Sequence, residues 1–214
     1  MTVKTEGQHA GEFLVSEAPG TQSRESVTVL SGEVLKAGHV VGKIKVGTAS
    51  ATAGGGNTGD GSMGAITVGA GAMAGDYVLT ITEAATNAGE FQVVDPEGDV
   101  VGLGTVGSEF SGGGLTFTLA DGAADFAKGD TFTITVAEGS GKIVEWDPAA
   151  NDGSEIAAGV LFDNVDATSG DKKGVLIARL AEVNGAELVY LSGATSGNKA
   201  TAAEQLEKRN IIVR

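Results

Sequence analysis

The chain has 214 residues, 41% of them hydrophobic and only 5% aromatic, with 35 glycines and a formal net charge of −14. That charge argues against a nucleic-acid backbone or an anionic membrane as the main partner. There is no cysteine, which excludes disulfides, thiolate metal sites and cysteine nucleophiles, and no apolar run is long enough to span a membrane.

Residues 1–26 carry mixed charge, no hydrophobic periodicity and the turn pair Pro19-Gly20. They are expected to form an extended arm, disordered when free. Within it, Phe13-Leu14-Val15 either folds back over the core or docks onto a partner by adding a strand to its sheet. This is also the longest strongly apolar run of the first thirty residues, far short of a secretory signal. Residues 27–30 and 40–46 read as strands around the turn Lys36-Ala37-Gly38.

The composition then shifts. Residues 47–141 hold twelve acidic residues and one basic residue, Lys128, a net of −11, against sixteen acids and thirteen bases in the rest. Flexible small-residue linkers are expected at 47–56 and 138–141. Residues 47–141 read as a domain inserted into a discontinuous host of residues 27–46 and 142–214. Inside it, Leu115, Phe117 and Leu119 alternate with threonine, as do Phe132, Ile134 and Val136. Tyr77, Leu79 and Ile81 alternate with Val78, Thr80 and Thr82. Such alternation predicts half-buried strands. Residues 66–68, 91–94 and 100–103 are further strand candidates, and Asp95-Pro96-Glu97-Gly98-Asp99 is a turn. The fold class expected is mainly β: an α+β host with one C-terminal helix, plus an inserted all-β, sandwich-like domain.

Beyond the insertion, residues 142–146, 156–161, 175–180, 188–191 and 211–214 read as strands. The helix is expected over 199–209, with Thr201 and Glu204 at capping-box spacing.

Catalytic and ligand motifs fare poorly. Gly102 to Gly107 and Gly54 to Gly59 match a GxGxxG pattern, but neither leads into a helix, so both read as turn and linker glycines. No serine has the nucleophile-elbow spacing. His9 and His39 read as surface histidines. The loop Asp147 to Gly153 fails the EF-hand register, because Pro148 and Ala150 fall on ligand positions. Trp146, Tyr77 and Tyr190 are too scattered to form a base-stacking platform. The expectation is a non-enzymatic protein with no cofactor and no metal.

The host segments resemble the lambda-type bacteriophage head decoration protein family. The resemblance rests on Ser23-Arg24-Glu25, Thr28-Val29-Leu30-Ser31-Gly32 and Leu35-Lys36-Ala37-Gly38, then Val41-Gly42-Lys43. It continues in Trp146-Asp147-Pro148-Ala149-Ala150, Asp152-Gly153-Ser154, Ala157 to Leu161, Arg179, Ala181 to Leu188 and the ending Ile211-Ile212-Val213-Arg214. The order holds across nearly all of the host, whereas the short family members lack the insertion. The resemblance implies a virion protein, made in the host cytoplasm, that sits as homotrimers at three-fold positions on the outside of the expanded capsid. There it would reinforce the shell against DNA pressure, with its N-terminal arm paired to the major capsid protein. Carried onto this chain, it implies capsid binding by Phe13, Leu14, Val15, Ser16, Glu17, Ser23, Arg24 and Glu25. The alternative is a virion-surface adhesion module that takes a host-surface glycan through the inserted domain.

Overall fold

The computed structural model describes residues 6–214 and is mainly β. The chain divides into two compact units, one formed by residues up to Ile44 with Gly141–Arg214, the other by Lys45–Ser140.

The first, or host, unit is built on a closed barrel of Ile143–Glu145, Arg24–Val29, Lys172–Ile177, Ala157–Leu161 and Val40–Lys43, in that order. All five residues of Ala157–Leu161 are buried, because apolar clusters lie on both sides of that strand. Val29, Val41, Ile143, Leu161 and Leu176 form one cluster with Leu35 and Val165. Val40, Val160 and Ile177 belong to the other, with Trp146 and with Ala202 and Leu206 of the helix. Gly42 sits where the backbone of Ser154 leaves no room for a Cβ. Trp146 is fully buried, and its indole N–H donates to Glu155 O at 2.8 Å and Gln205 Oε1 at 3.1 Å. The helix covers Ser196–Glu207, three residues earlier than expected at its start. Its capping box is Thr195 with Asn198, not Thr201 with Glu204. Residues 188–191 form no strand: Val189 makes only an isolated bridge to His39.

The second, inserted, unit has a five-stranded antiparallel sheet, ordered Val100–Thr105, Ala88–Val94, Gly75–Ala85, Thr131–Glu138 and Val46–Ala53. A second sheet joins Glu109–Gly112, Leu115–Ala120 and Ser62–Met63, with Thr67–Val68 also paired to Leu115–Ala120. The expected alternations hold: Tyr77, Leu79, Ile81, Leu115, Phe117, Leu119, Phe132, Ile134 and Val136 all lie in one core. Rings of Phe91, Phe110 and Phe117 pack there with centroids 4.9–6.2 Å apart. Tyr77 is satisfied inside it, accepting from Met73 N at 2.8 Å and donating to Gly113 O at 3.0 Å.

The flexible linker expected at 47–56 is instead mostly strand. Val46–Ala53 pairs along Thr131–Glu138 from Glu138↔Val46 to Phe132↔Ala53. Alanine, glycine, serine and threonine carry little hydrophobic signal, yet the sheet edge beside them supplies the hydrogen bonds. Gly102 to Gly107 runs through a strand into a turn, with no helix behind it.

Candidate docking surface

The N-terminal segment departs from the expected disordered arm wherever it is described; residues 1–5 lie outside the described residues. Gly11, at φ +70°, donates its N–H to Phe162 O at 2.8 Å. Phe13 is 2% exposed and packs in the Trp146 cluster, while its carbonyl accepts the Asn184 N–H at 2.8 Å. Leu14–Glu17 forms a strand antiparallel to Ala181–Val183, which pairs in turn, in parallel, with Ile211–Val213. The core offered by Val183, Leu188 and Ile211 draws Phe13 in, so the segment folds on its own unit.

The eight residues implied by the family resemblance therefore take different places. Phe13 is core and Leu14 is half-buried against it. The register shifts between Leu14 and Ser16, and Val15 at that irregularity is 58% exposed. Ser16 is exposed and donates to Glu182 Oε2 at 3.1 Å. Glu17, Ser23 and Arg24 come together: Ser23 Oγ donates to Glu17 Oε2 at 2.6 Å, and Arg24 Nε donates to the same oxygen at 3.0 Å. The Arg24 bonds, helped by Ser23, outweigh burial and hold the Glu17 carboxyl below its ordinary range. The Arg24 guanidinium also lies 4.0 Å from the Phe162 ring centroid. Glu25 pairs with Arg179, whose Nη1 donates to Gln22 O at 3.1 Å. The surface left open by this segment is thus the outer edge of Leu14–Glu17, at the end of a three-stranded sheet. Its sequence signal was weak, because a four-residue edge strand shows almost no alternation.

His39 is not the surface histidine expected: it is 7% exposed, turned inward after the turn at Lys36. His9 is exposed, beside Glu6. The Asp147 to Gly153 loop uses its carboxylates on its own backbone, with Asp147 accepting Ala149 N–H and Asp152 accepting Ser154 N–H. Among the described residues no group of three or more His, Cys, Asp or Glu side chains is placed to hold a metal.

Residues 3–211 match the family described as bacteriophage lambda head decoration protein D. The chain belongs to that family. Head decoration makes it a structural component of the phage capsid. No curated protein matches it. Among solved structures, the flagellar protein FlgL of Xanthomonas campestris is 23% identical, with a TM-score of 0.34 over 47% of this chain and 33% of that one. FlgL of Legionella pneumophila is 18% identical, with a TM-score of 0.35 over 48% of this chain and 38% of that one. The hook junction protein FlgK of Burkholderia pseudomallei is 25% identical, with a TM-score of 0.33 over 58% of this chain and 21% of that one. The chain thus spans less than two-fifths of each of these flagellar proteins, and likenesses this slight carry no argument about a head decoration protein.

Proposed function

We propose that this decoration protein binds the outside of the expanded capsid as trimers at three-fold positions and stabilises the shell against DNA pressure. The major capsid protein adds a strand to the open edge of Leu14–Glu17. The family match over residues 3–211 carries the capsid role. The edge strand supports the docking mode, since an unpaired edge with an exposed apolar side chain, Val15, offers both main-chain hydrogen bonds and a side-chain anchor. Because this strand is already folded, docking there costs less ordering entropy than docking through a disordered arm. Binding only the expanded lattice then shifts the shell toward that form by mass action.

The test is co-sedimentation of the full-length protein with undecorated shells from the same phage, expanded against unexpanded. Deleting residues 1–26 would also remove Phe13 from the core and Arg24-Glu25-Ser26 from the barrel, so a point variant is the better probe. Val15→Lys places a charge on the edge strand, the device by which sheets repel added strands. Saturable binding of the wild type to expanded shells only, weakened at least tenfold by Val15→Lys with unchanged circular dichroism, is the expected result. Wild type that pellets with neither form overturns the capsid reading. Unaltered binding by Val15→Lys overturns the docking edge alone.

A further inference from the structure

The host unit contains an open cleft of about 700 Å³, with Val34, Val165 and Val189 among its apolar walls. His39 and Glu145 line the same cleft, with side chains 9% and 28% exposed. The Lys36 N–H donates to His39 Nδ1 at 2.8 Å, which leaves Nε2 as the protonated nitrogen of the neutral ring, 3.4 Å from Glu145 Oε1. Burial pushes His39 toward that neutral form, so it is a poor counter-ion. Glu145 is pushed the opposite way, above the usual carboxylate range, by burial and then by the charges of Glu33 and Asp147. Lys36 is exposed on the same cleft, and no lysine or arginine among the described residues lies within ion-pair distance of Glu145. By contrast, three other carboxylates of this unit do meet a cation: Glu17 has Arg24, Asp171 has Lys142 and Glu182 has Arg214. The cleft therefore pairs apolar walls with a part-buried carboxylate that no lysine or arginine among the described residues neutralises.

We propose that this cleft receives an arginine side chain from a loop of the capsid protein, its guanidinium on Glu145 and its methylene stem along Val34, Val165 and Val189. The capsid partner rests on the reading in the preceding subsection; the chemistry of the cleft does not. Arginine suits the site better than lysine because its planar fork meets a carboxylate with two hydrogen bonds and it is more weakly hydrated. Its stem buries against valines while the charged head reaches the carboxylate.

Two measurements separate the cleft from the capsid. In the first, the free full-length protein is titrated with L-argininamide, with sodium chloride as the ionic-strength control, and the His39 ring resonances are followed by NMR. A saturable shift in the wild type, at least tenfold weaker in Glu145→Gln, is expected. No saturable shift, or the same shift in both proteins, overturns the cleft assignment whatever happens with shells. In the second, Glu145→Gln is sedimented with expanded shells, and roughly tenfold weaker binding is expected for loss of one charge-assisted contact. Wild-type affinity in that variant overturns the proposal. A wild type that does not pellet at all overturns the capsid as the partner, while the argininamide titration still decides what the cleft binds.

Discussion

The two units neutralise their carboxylates by different means. In the host, four acids meet bases, Glu17 with Arg24, Glu25 with Arg179, Asp171 with Lys142 at 2.6 Å and Glu182 with Arg214 at 2.5 Å, while others such as Asp147, Asp152 and Asp166 accept backbone N–H groups. The inserted unit holds only two bases, Lys45 and Lys128, and its acids fasten loops by accepting backbone N–H groups. Asp130 accepts three, from Thr58 at 2.9 Å, Gly59 at 2.9 Å and Ala127 at 3.0 Å. Asp95 accepts from Glu97 and Asp99, Asp60 from Ala124, and Asp125 from Asn87. The net of −11 over residues 47–141 is thus partly structural: a large acidic excess is compatible with tight loops when the peptide backbone supplies the donors. Backbone fastening carries no long side chain to immobilise and is little screened by salt, whereas exposed ion pairs suffer from both.

The sharpest way to break this contrast is Asp130→Ala. Asp130 is 5% exposed, so the variant strands buried donors, and a loss of about 3 kcal/mol from the inserted unit is expected. Calorimetry would record it. Fluorescence of Trp146, the single tryptophan and a residue of the host core, should report an unchanged host transition. Burial raises the Asp130 pKa, but the bonds from Gly59, Thr58 and Ala127 outweigh it and leave the group below its ordinary 3.8. A carboxyl lowered on folding contributes stability above its unfolded pKa and loses it as the pH falls through the folded value. The inserted unit should therefore weaken on acidification below about pH 4, with a shallower slope in Asp130→Asn.

Asp121 is the exception that sharpens the contrast from the other side. It follows Leu119 at the spacing of Leu115 and Phe117, and both its carboxylate oxygens are buried without a hydrogen-bond partner among the described residues. A buried acceptor that holds nothing costs stability, so Asp121→Val is expected to stabilise the inserted unit by about 1–2 kcal/mol. An unchanged or lowered melting temperature would mean that Asp121 fastens something after all.

Strands with one wet and one dry face were plain in the sequence, because residues such as Thr131 to Val136 alternate in both polarity and burial. Strands whose character comes from their neighbours were not. Val46–Ala53 looks like a linker until the edge of Thr131–Glu138 is placed beside it. Arg24-Glu25-Ser26 reads as polar arm, yet pairs with Val175, Leu176 and Ile177 in the barrel. The proposed docking edge was half legible: the apolar run Phe13-Leu14-Val15 marks the place, but only tertiary packing assigns Phe13 to the core and Val15 to the surface. The cleft was hidden altogether, since Glu145 and His39 lie 106 positions apart in a chain with an insertion between them.

The smallest effects test whether ion pairing is truly the habit of one unit. Arg24→Gln leaves the Glu17 carboxylate, whose side chain is 17% exposed, with Ser23 as its remaining side-chain donor, and about 1 kcal/mol of host stability should go with it. Lys128→Gln should do much less. Its ammonium lies 3.2 Å from Glu83, but both side chains are 69% exposed, so the pair gains little Coulomb energy and must immobilise two long side chains. Removing the one positive charge of residues 47–141 also adds to self-repulsion, but at 0.15 M salt that reaches only about 8 Å. The expected loss is under about 0.5 kcal/mol, shrinking further as sodium chloride is raised. A loss as large as that of Arg24→Gln would show that the inserted unit leans on this ion pair, and the contrast between side-chain pairs and backbone donors would fall.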